Sequence, residues 1–233
     1  MNNLPRAIRP DDLQIIEQIP GIIGVARDAD LRLFWCTRGF YRVLDAAKDT
    51  DELQGSTLSD ILTPTAARER ESLHRQVIET GKVVSHYQLS ADSRVMCTIF
   101  PLDKDAFGHD GILAIIKDGP ADSRLDTEAD IPVLSSPNLA QLNALSSREL
   151  EILHHIAKGL STNDIASNLN RSNKTVEKQV NSIHTKLGTH SRAELVRYAT
   201  ERGIQAFTDL DWSAIVEGAK VMRRERRATT SAK

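Results

Sequence analysis

The chain has 233 residues, 40% of them hydrophobic and 27% charged, with a formal net charge of −2. That is room for two ordinary domains with the balance of a soluble globular protein, and no apolar run approaches the roughly 18 residues of a membrane span. Residues 1–6 lack the apolar core of a signal peptide, so a cytoplasmic protein with no membrane partner is expected; Cys36 and Cys97 give no disulfide framework there and read as small buried hydrophobes.

The first predicted elements are short strands at residues 21–26 and 31–35, divided by the hairpin signal Arg27-Asp28-Ala29-Asp30. Brief helical pieces follow at 40–44 and 57–62. Residues 65–80 then form a charged amphipathic helix with Leu73, Val77 and Ile78 inward and Gly81 as its stop. Three β-rich runs close the region, at 83–89, 94–102 and 111–117, joined by polar turns at 90–93 and 103–110. Two strands, helices and three strands predict an α+β unit: an antiparallel sheet with helices on one face.

Over residues 12–118 this order resembles a PAS sensor domain, on Ile19-Pro20-Gly21-Ile22, the Asp28-Ala29-Asp30 hairpin, Gly81 and Phe100-Pro101-Leu102. The resemblance implies a sensory or dimerising role and a cup between sheet and helices that draws on Phe34, Phe40, Leu73, Val77 and Ile99. Such residues also make ordinary core. Some PAS proteins hang haem from a histidine on the long helix, where His74 lies; a lone helical histidine is usually a surface residue, so no cofactor and no metal is assigned.

Residues 118–140 collect Gly119, Pro120, Pro132, Pro137 and Ser135-Ser136, with four acidic residues between Asp122 and Asp130, and read as an exposed linker. Beyond it, Ser146 and Glu149 have capping-box spacing ahead of Leu150, Leu153 and Ile156, and Gly159 supplies a stop. Ser161 and Asp164 open a very short second helix, which Asn170-Arg171-Ser172-Asn173 ends. In a third helix, residues 174–187, Val176, Val180, Ile183 and Leu187 share one sector, while Lys174, Lys178, Asn181, Ser182 and Thr185 point away. Ser191 and Glu194 open a fourth, which ends at Gly203. A short helix, a four-residue turn and a helix with a polar outer face make a helix-turn-helix.

Residues 145–204 resemble the LuxR-type helix-turn-helix domains, on Leu145-Ser146-Ser147-Arg148-Glu149, Leu153, Gly159, Ile165-Ala166, Leu169, Thr175-Val176-Glu177, Ile183 and Lys186-Leu187-Gly188. The resemblance implies an all-α four-helix domain that meets double-stranded DNA through Lys174, Thr175 and Lys178, with Asn181 and Ser182 deeper along the reading helix. Gln179 stands where many members carry histidine. It lies at the edge of the apolar stripe, where structural support is at least as good a reading as base contact. Residues 146–204 hold nine Lys+Arg against six Asp+Glu, net +3, whereas residues 1–145 hold 15 against 22, net −7. The basic balance sits where phosphates would be met.

The division expected is a PAS-like sensory or dimerisation domain at 12–118, a linker at 119–140, the helix-turn-helix domain at 141–206, and a C-terminal helix with a solvated basic tail at 207–233. Together these read as a sequence-specific DNA-binding transcriptional regulator, a homodimer on paired half-sites, responding to a small molecule or a protein partner. An enzyme is not expected. Thr80-Gly81-Lys82 lacks the earlier glycine of a phosphate loop, and the capping role explains Ser161. The rival is an effector with a receiver, degenerate or not, for which Asp11-Asp12, Asp60 and Lys117 are superficial candidates, or a docking module that binds no ligand.

Overall fold

The computed structural model describes residues 7–40, 53–117 and 131–231. The N-terminal unit runs α1 (Pro10–Glu17), β1 (Ile22–Asp28), β2 (Leu33–Cys36), α2 (Leu58–Ile61), α3 (Pro64–Thr80), β3 (Val84–Ser90), β4 (Ser93–Pro101), α4 (Lys104–Phe107) and β5 (Gly111–Lys117). Its five strands pair in the order β2-β1-β5-β4-β3, every pairing antiparallel. This is the α+β, PAS-like architecture expected from the sequence. It removes the receiver alternative, which needs parallel strand-helix units.

Strand alternation sends two apolar sets to opposite faces. Ile23, Val25, Ile99, Ile112 and Ile116 meet Val77 of α3 on one face; Leu13 and Ile16 of α1 pack with Ala26 and Leu113 on the other. Arg27, read above as a turn residue, belongs to β1 and is buried, beside a bulge at Ala26/Arg27. The expected helix at 40–44 lies, apart from Phe40, outside the described residues.

The linker departs from expectation. Residues 119–130 lie outside the described residues, but the stretch from 131 runs along the edge of β3: Tyr87 N donates to Pro132 O (2.8 Å), Leu134 N to Tyr87 O (2.8 Å) and Asn138 N to Leu89 O (2.9 Å). Leu134, Ser136 and Leu139 are buried. An unpaired sheet edge is a row of backbone donors and acceptors, which Ser/Pro-rich chain satisfies without any side-chain pattern.

The C-terminal unit begins with a 3₁₀ turn (Ala140–Ala144) and continues α5 (Ser147–Ala157), α6 (Thr162–Asn168), α7 (Asn173–Leu187), α8 (Arg192–Glu201), a second 3₁₀ turn (Ile204–Ala206) and α9 (Asp209–Ser231). Leu150, Leu153, Ile165, Val176, Ile183, Leu195 and Phe207 fill its core, which also takes in Leu89 of β3. The tail is helical through its arginines rather than disordered. Trp212, Ile215, Ala219 and Met222 extend the buried stripe, and Arg223 Nη2 then donates to Leu145 O (2.7 Å).

The two units are joined by the β3–β4 turn. Ala91 and Asp92 both have positive φ (47° and 67°), the geometry of a two-residue type I′ hairpin. At its tip the Asp92 carboxylate accepts from Gln141 N and Leu142 N, both at 3.0 Å, and so caps the first 3₁₀ turn. Arg94 lies with its guanidinium 3.5 Å from the centre of the Tyr87 ring, and its backbone N donates to Arg202 O (2.8 Å).

Candidate nucleic-acid interface and inner cavity

The helix-turn-helix is set by caps. Ser146 Oγ accepts from Glu149 N (3.3 Å) while Glu149 Oε2 accepts from Ser146 N (2.6 Å); Ser161 and Asp164 repeat the arrangement on α6. Ser172 Oγ accepts from Thr175 N (3.2 Å) to start α7, and Gly188, at φ 66°, ends it. Val176 and Ile183 fasten α7 to the core, which leaves Lys174, Thr175, Lys178 and Asn181 exposed on the opposite side. Arg171 and Asn173, passed over above as turn residues, are exposed at the same end of the helix.

Ser182 does not join this surface freely. Its hydroxyl is a hydrogen-bond partner of the Glu149 carboxylate, which also accepts from Lys186 Nζ (2.6 Å). Burial alone would push that carboxyl up, but the bonds from Lys186, Ser182 and Ser146 outweigh it and hold the pKa down at about 2. Glu149 is thus both the capping acid of α5 and the anchor of α7. Gln179 is half-buried, in keeping with a supporting role.

His154 serves packing. His154 is buried, stacks on Trp212 at 5.0 Å and 11°, and has Nε2 3.0 Å from Phe207 O, so Nε2 carries the proton. Burial lowers its pKa to about 4. Among the described residues no cluster of three or more His, Cys, Asp or Glu side chains is arranged for a metal ion, and no helix is long and apolar enough to cross a membrane.

In the N-terminal unit a cavity of about 100 Å³ opens between α3 and the sheet. Of the five residues expected in the cup, only Phe40 lines it. Val77 and Ile99 are fully buried in the core beneath, Leu73 packs at the margin, and Phe34 is on the far face of the sheet, against Phe107 (5.9 Å) and His109 (5.5 Å). The polar wall includes Arg27, Arg70, His74, His86 and Gln88, with Ser90 and Asn138. The signal for two of these was present: His86 and Gln88 are two apart on one strand and therefore share a face. His74 is buried in this wall, not on the surface, because α3 turns that side to the sheet; burial lowers its pKa to about 3. A cavity smaller than the roughly 150 Å³ that admits benzene leaves no room for a porphyrin, so these residues do not fit haem.

The cavity wall connects to the β3-edge segment. Arg70 Nη2 donates to Gln88 Oε1 (2.8 Å) and its Nη1 to Ser136 Oγ (2.8 Å), while Glu69 accepts from Ser135 N (2.7 Å) and Ser136 N (3.0 Å).

Residues 143–199 match the family model described as bacterial regulatory proteins, luxR family. This segment is a LuxR-family domain. The Fimbriae Z protein of Escherichia coli K12 is 45% identical to the chain over 64 residues, covering 28% of this chain and 30% of that protein. The oxygen regulatory protein NreC of Staphylococcus aureus JH9 is 51% identical over 63 residues, 27% of this chain and 29% of that one. The chain thus spans less than a third of the length of these curated relatives, the shared part lying in the LuxR-family domain. Among solved structures, a VqmA–ligand–DNA complex of Vibrio cholerae aligns over 88% of this chain and 92% of that one, at 21% identity and a TM-score of 0.45.

Proposed function

We propose that the protein is a sequence-specific DNA-binding transcriptional regulator that acts as a homodimer, with residues 12–118 as the sensory unit, a linker reaching to 140, and residues 141–206 as the DNA-binding unit. The carrying observation is the capped helix α7, fastened by Val176 and Ile183 within the LuxR-family segment, with Lys174, Thr175, Lys178 and Asn181 exposed. A helix presented this way has the dimensions and donor groups for the major groove. Lys174 and Thr175 serve backbone positioning; Lys178 and Asn181 meet base edges. One such module reads few base pairs, which is the physical reason for pairing two on neighbouring half-sites.

The N-terminal unit receives a small molecule in the cavity beside His74 and His86. The path from Gln88 through Arg70 to Ser136 gives the cavity a hydrogen-bonded connection to the segment that leads into the DNA-binding unit.

The test is fluorescence anisotropy on a duplex selected from a random library by the full-length chain. Lys178→Ala is expected to weaken specific binding about tenfold, in line with 1–3 kcal/mol for a base contact. Lys174→Ala is expected to reduce the slope of log K against log salt by about one. Ser182→Ala leaves affinity for the duplex unchanged. Undiminished affinity in Lys178→Ala removes α7 as the reading helix.

A further inference from the structure

We infer, on the reading that the N-terminal unit receives a small molecule, that its cavity takes a compact organic monoanion, a short-chain carboxylate in the first instance, seated on the guanidinium of Arg27. Arg27 is 1% exposed. Its Nη1 donates to Leu31 O (2.8 Å) and Ser56 O (2.9 Å), which orients the side chain. Nε and Nη2 are buried and have no hydrogen-bond partner among the described residues. Those two nitrogens form the side of the guanidinium whose N–H bonds run parallel, at the spacing of the two oxygens of a carboxylate.

Asp28, Glu71 and Asp60 lie near enough to act on the Arg27 charge, but among the described residues none of them lines the cavity or bonds to the guanidinium, so its cavity-facing side is left to be matched. No Asp or Glu is among the described residues that line the cavity. Arg70, the other guanidinium in the wall, is committed to Ala66 O, Gln88 Oε1 and Ser136, with Glu69 as its nearby counter-charge. His74 and His86 are held neutral by burial, and each has a buried Nδ1 with no partner among the described residues. Two neutral imidazoles add hydrogen-bonding capacity without adding charge. Buried donors left unmatched are costly, and a buried cation more so, which favours an occupant carrying one negative charge and several acceptors.

The rest of the wall limits size and shape. Val25, Phe40, Ile61, Ala114 and Ile116 supply apolar surface, and the volume of about 100 Å³ is below the roughly 150 Å³ that holds benzene. A carboxylate on a short apolar body matches both features. Polyanions and nucleotides exceed the volume and the single matched charge.

Propionate and its neutral isostere propionamide are the probes, titrated into the full-length chain at constant ionic strength and followed by saturation-transfer NMR and thermal melting. Propionate is expected to bind at least about tenfold more tightly than propionamide. Ala114→Leu, which adds bulk to the cavity from β5 opposite Val25 and keeps the Arg27 charge, is expected to abolish both. Arg27→Gln is expected to remove the preference for the anion; if that variant does not fold, the amide comparison and Ala114→Leu still decide.

Equal binding of the two probes overturns the anion while leaving a small-molecule site. Propionate binding that survives Ala114→Leu overturns it by placing the ion elsewhere. If neither probe binds, the inference also fails, and a native mass spectrum of the protein from its own host separates the two readings: a retained neutral molecule keeps the receptor, and a bare chain removes both.

Discussion

Glu149 shows how one side chain holds two helices. Glu149 is 5% exposed, yet charged, because Lys186, Ser182 and the Ser146 N–H all donate to its carboxylate. A carboxyl depressed from its ordinary 4.5 to about 2 contributes stability that is present above pH 4.5 and lost as pH falls through 2. Glu149→Gln keeps the shape and leaves Lys186 without its counter-ion, so a loss of about 2 kcal/mol is expected from urea unfolding at neutral pH. An unchanged midpoint would show that the pair is neutral for stability. Gly218 sets a different constraint: a Cβ built there collides with the carbonyl oxygen of Ser135, so α9 lies against the β3-edge segment with no side chain between. Gly218→Ala is expected to cost about 1–3 kcal/mol and to raise amide exchange across residues 131–139, the signature of that segment lifting away.

At the scale of elements, the helices of the C-terminal unit were legible because their signals are local. Ser146, Ser161 and Ser191 each precede a helix and each accepts the hydrogen bond that its position predicts; Ser172, read as a turn residue, caps α7 in the same way. The strands were legible too, to within a residue or two, since alternation is also local. What the sequence hid depends on distant partners. Nothing in Pro132, Leu134 or Asn138 announces a segment laid along β3, because those bonds are made by backbone. The resemblance set the cup on residues such as Phe34 and Ile99, whereas the wall includes Arg27, which stood in a run that looked like a turn. Asp92 belongs to the hidden class, a hairpin-tip residue whose partners, Gln141 and Leu142, are about fifty positions away. Asp92→Ala leaves two turn donors unmatched and is expected to cost about 1–2 kcal/mol while leaving each unit folded. A fall in the cooperativity of thermal unfolding, as the units melt apart, is the observation that checks it.

The whole molecule has an acid sensitivity distributed over both units. His74 and His86 are buried in one and His154 in the other, with pKa values lowered by burial to about 3, 4 and 4. A base whose pKa is depressed on folding is neutral in the folded chain and protonates first in the unfolded one. Its contribution is therefore complete above the ordinary value of 6.5 and drains away as pH falls toward the folded value. Each such histidine steepens the fall in stability by at most about 1.4 kcal/mol per pH unit between those limits. Because three share the same window, urea midpoints are expected to decline steadily from pH 6.5 to 5.5, above the ordinary carboxylate range. His154→Gln isolates one of them: glutamine can still donate to Phe207 O but takes up no proton, so the variant should be less stable at pH 7.5 and its stability should fall less steeply below 6.5. If the slope of the variant matches that of the parent, the imidazole stacked on Trp212 is not held neutral, and the packing that buries it is looser than the 5.0 Å stack requires.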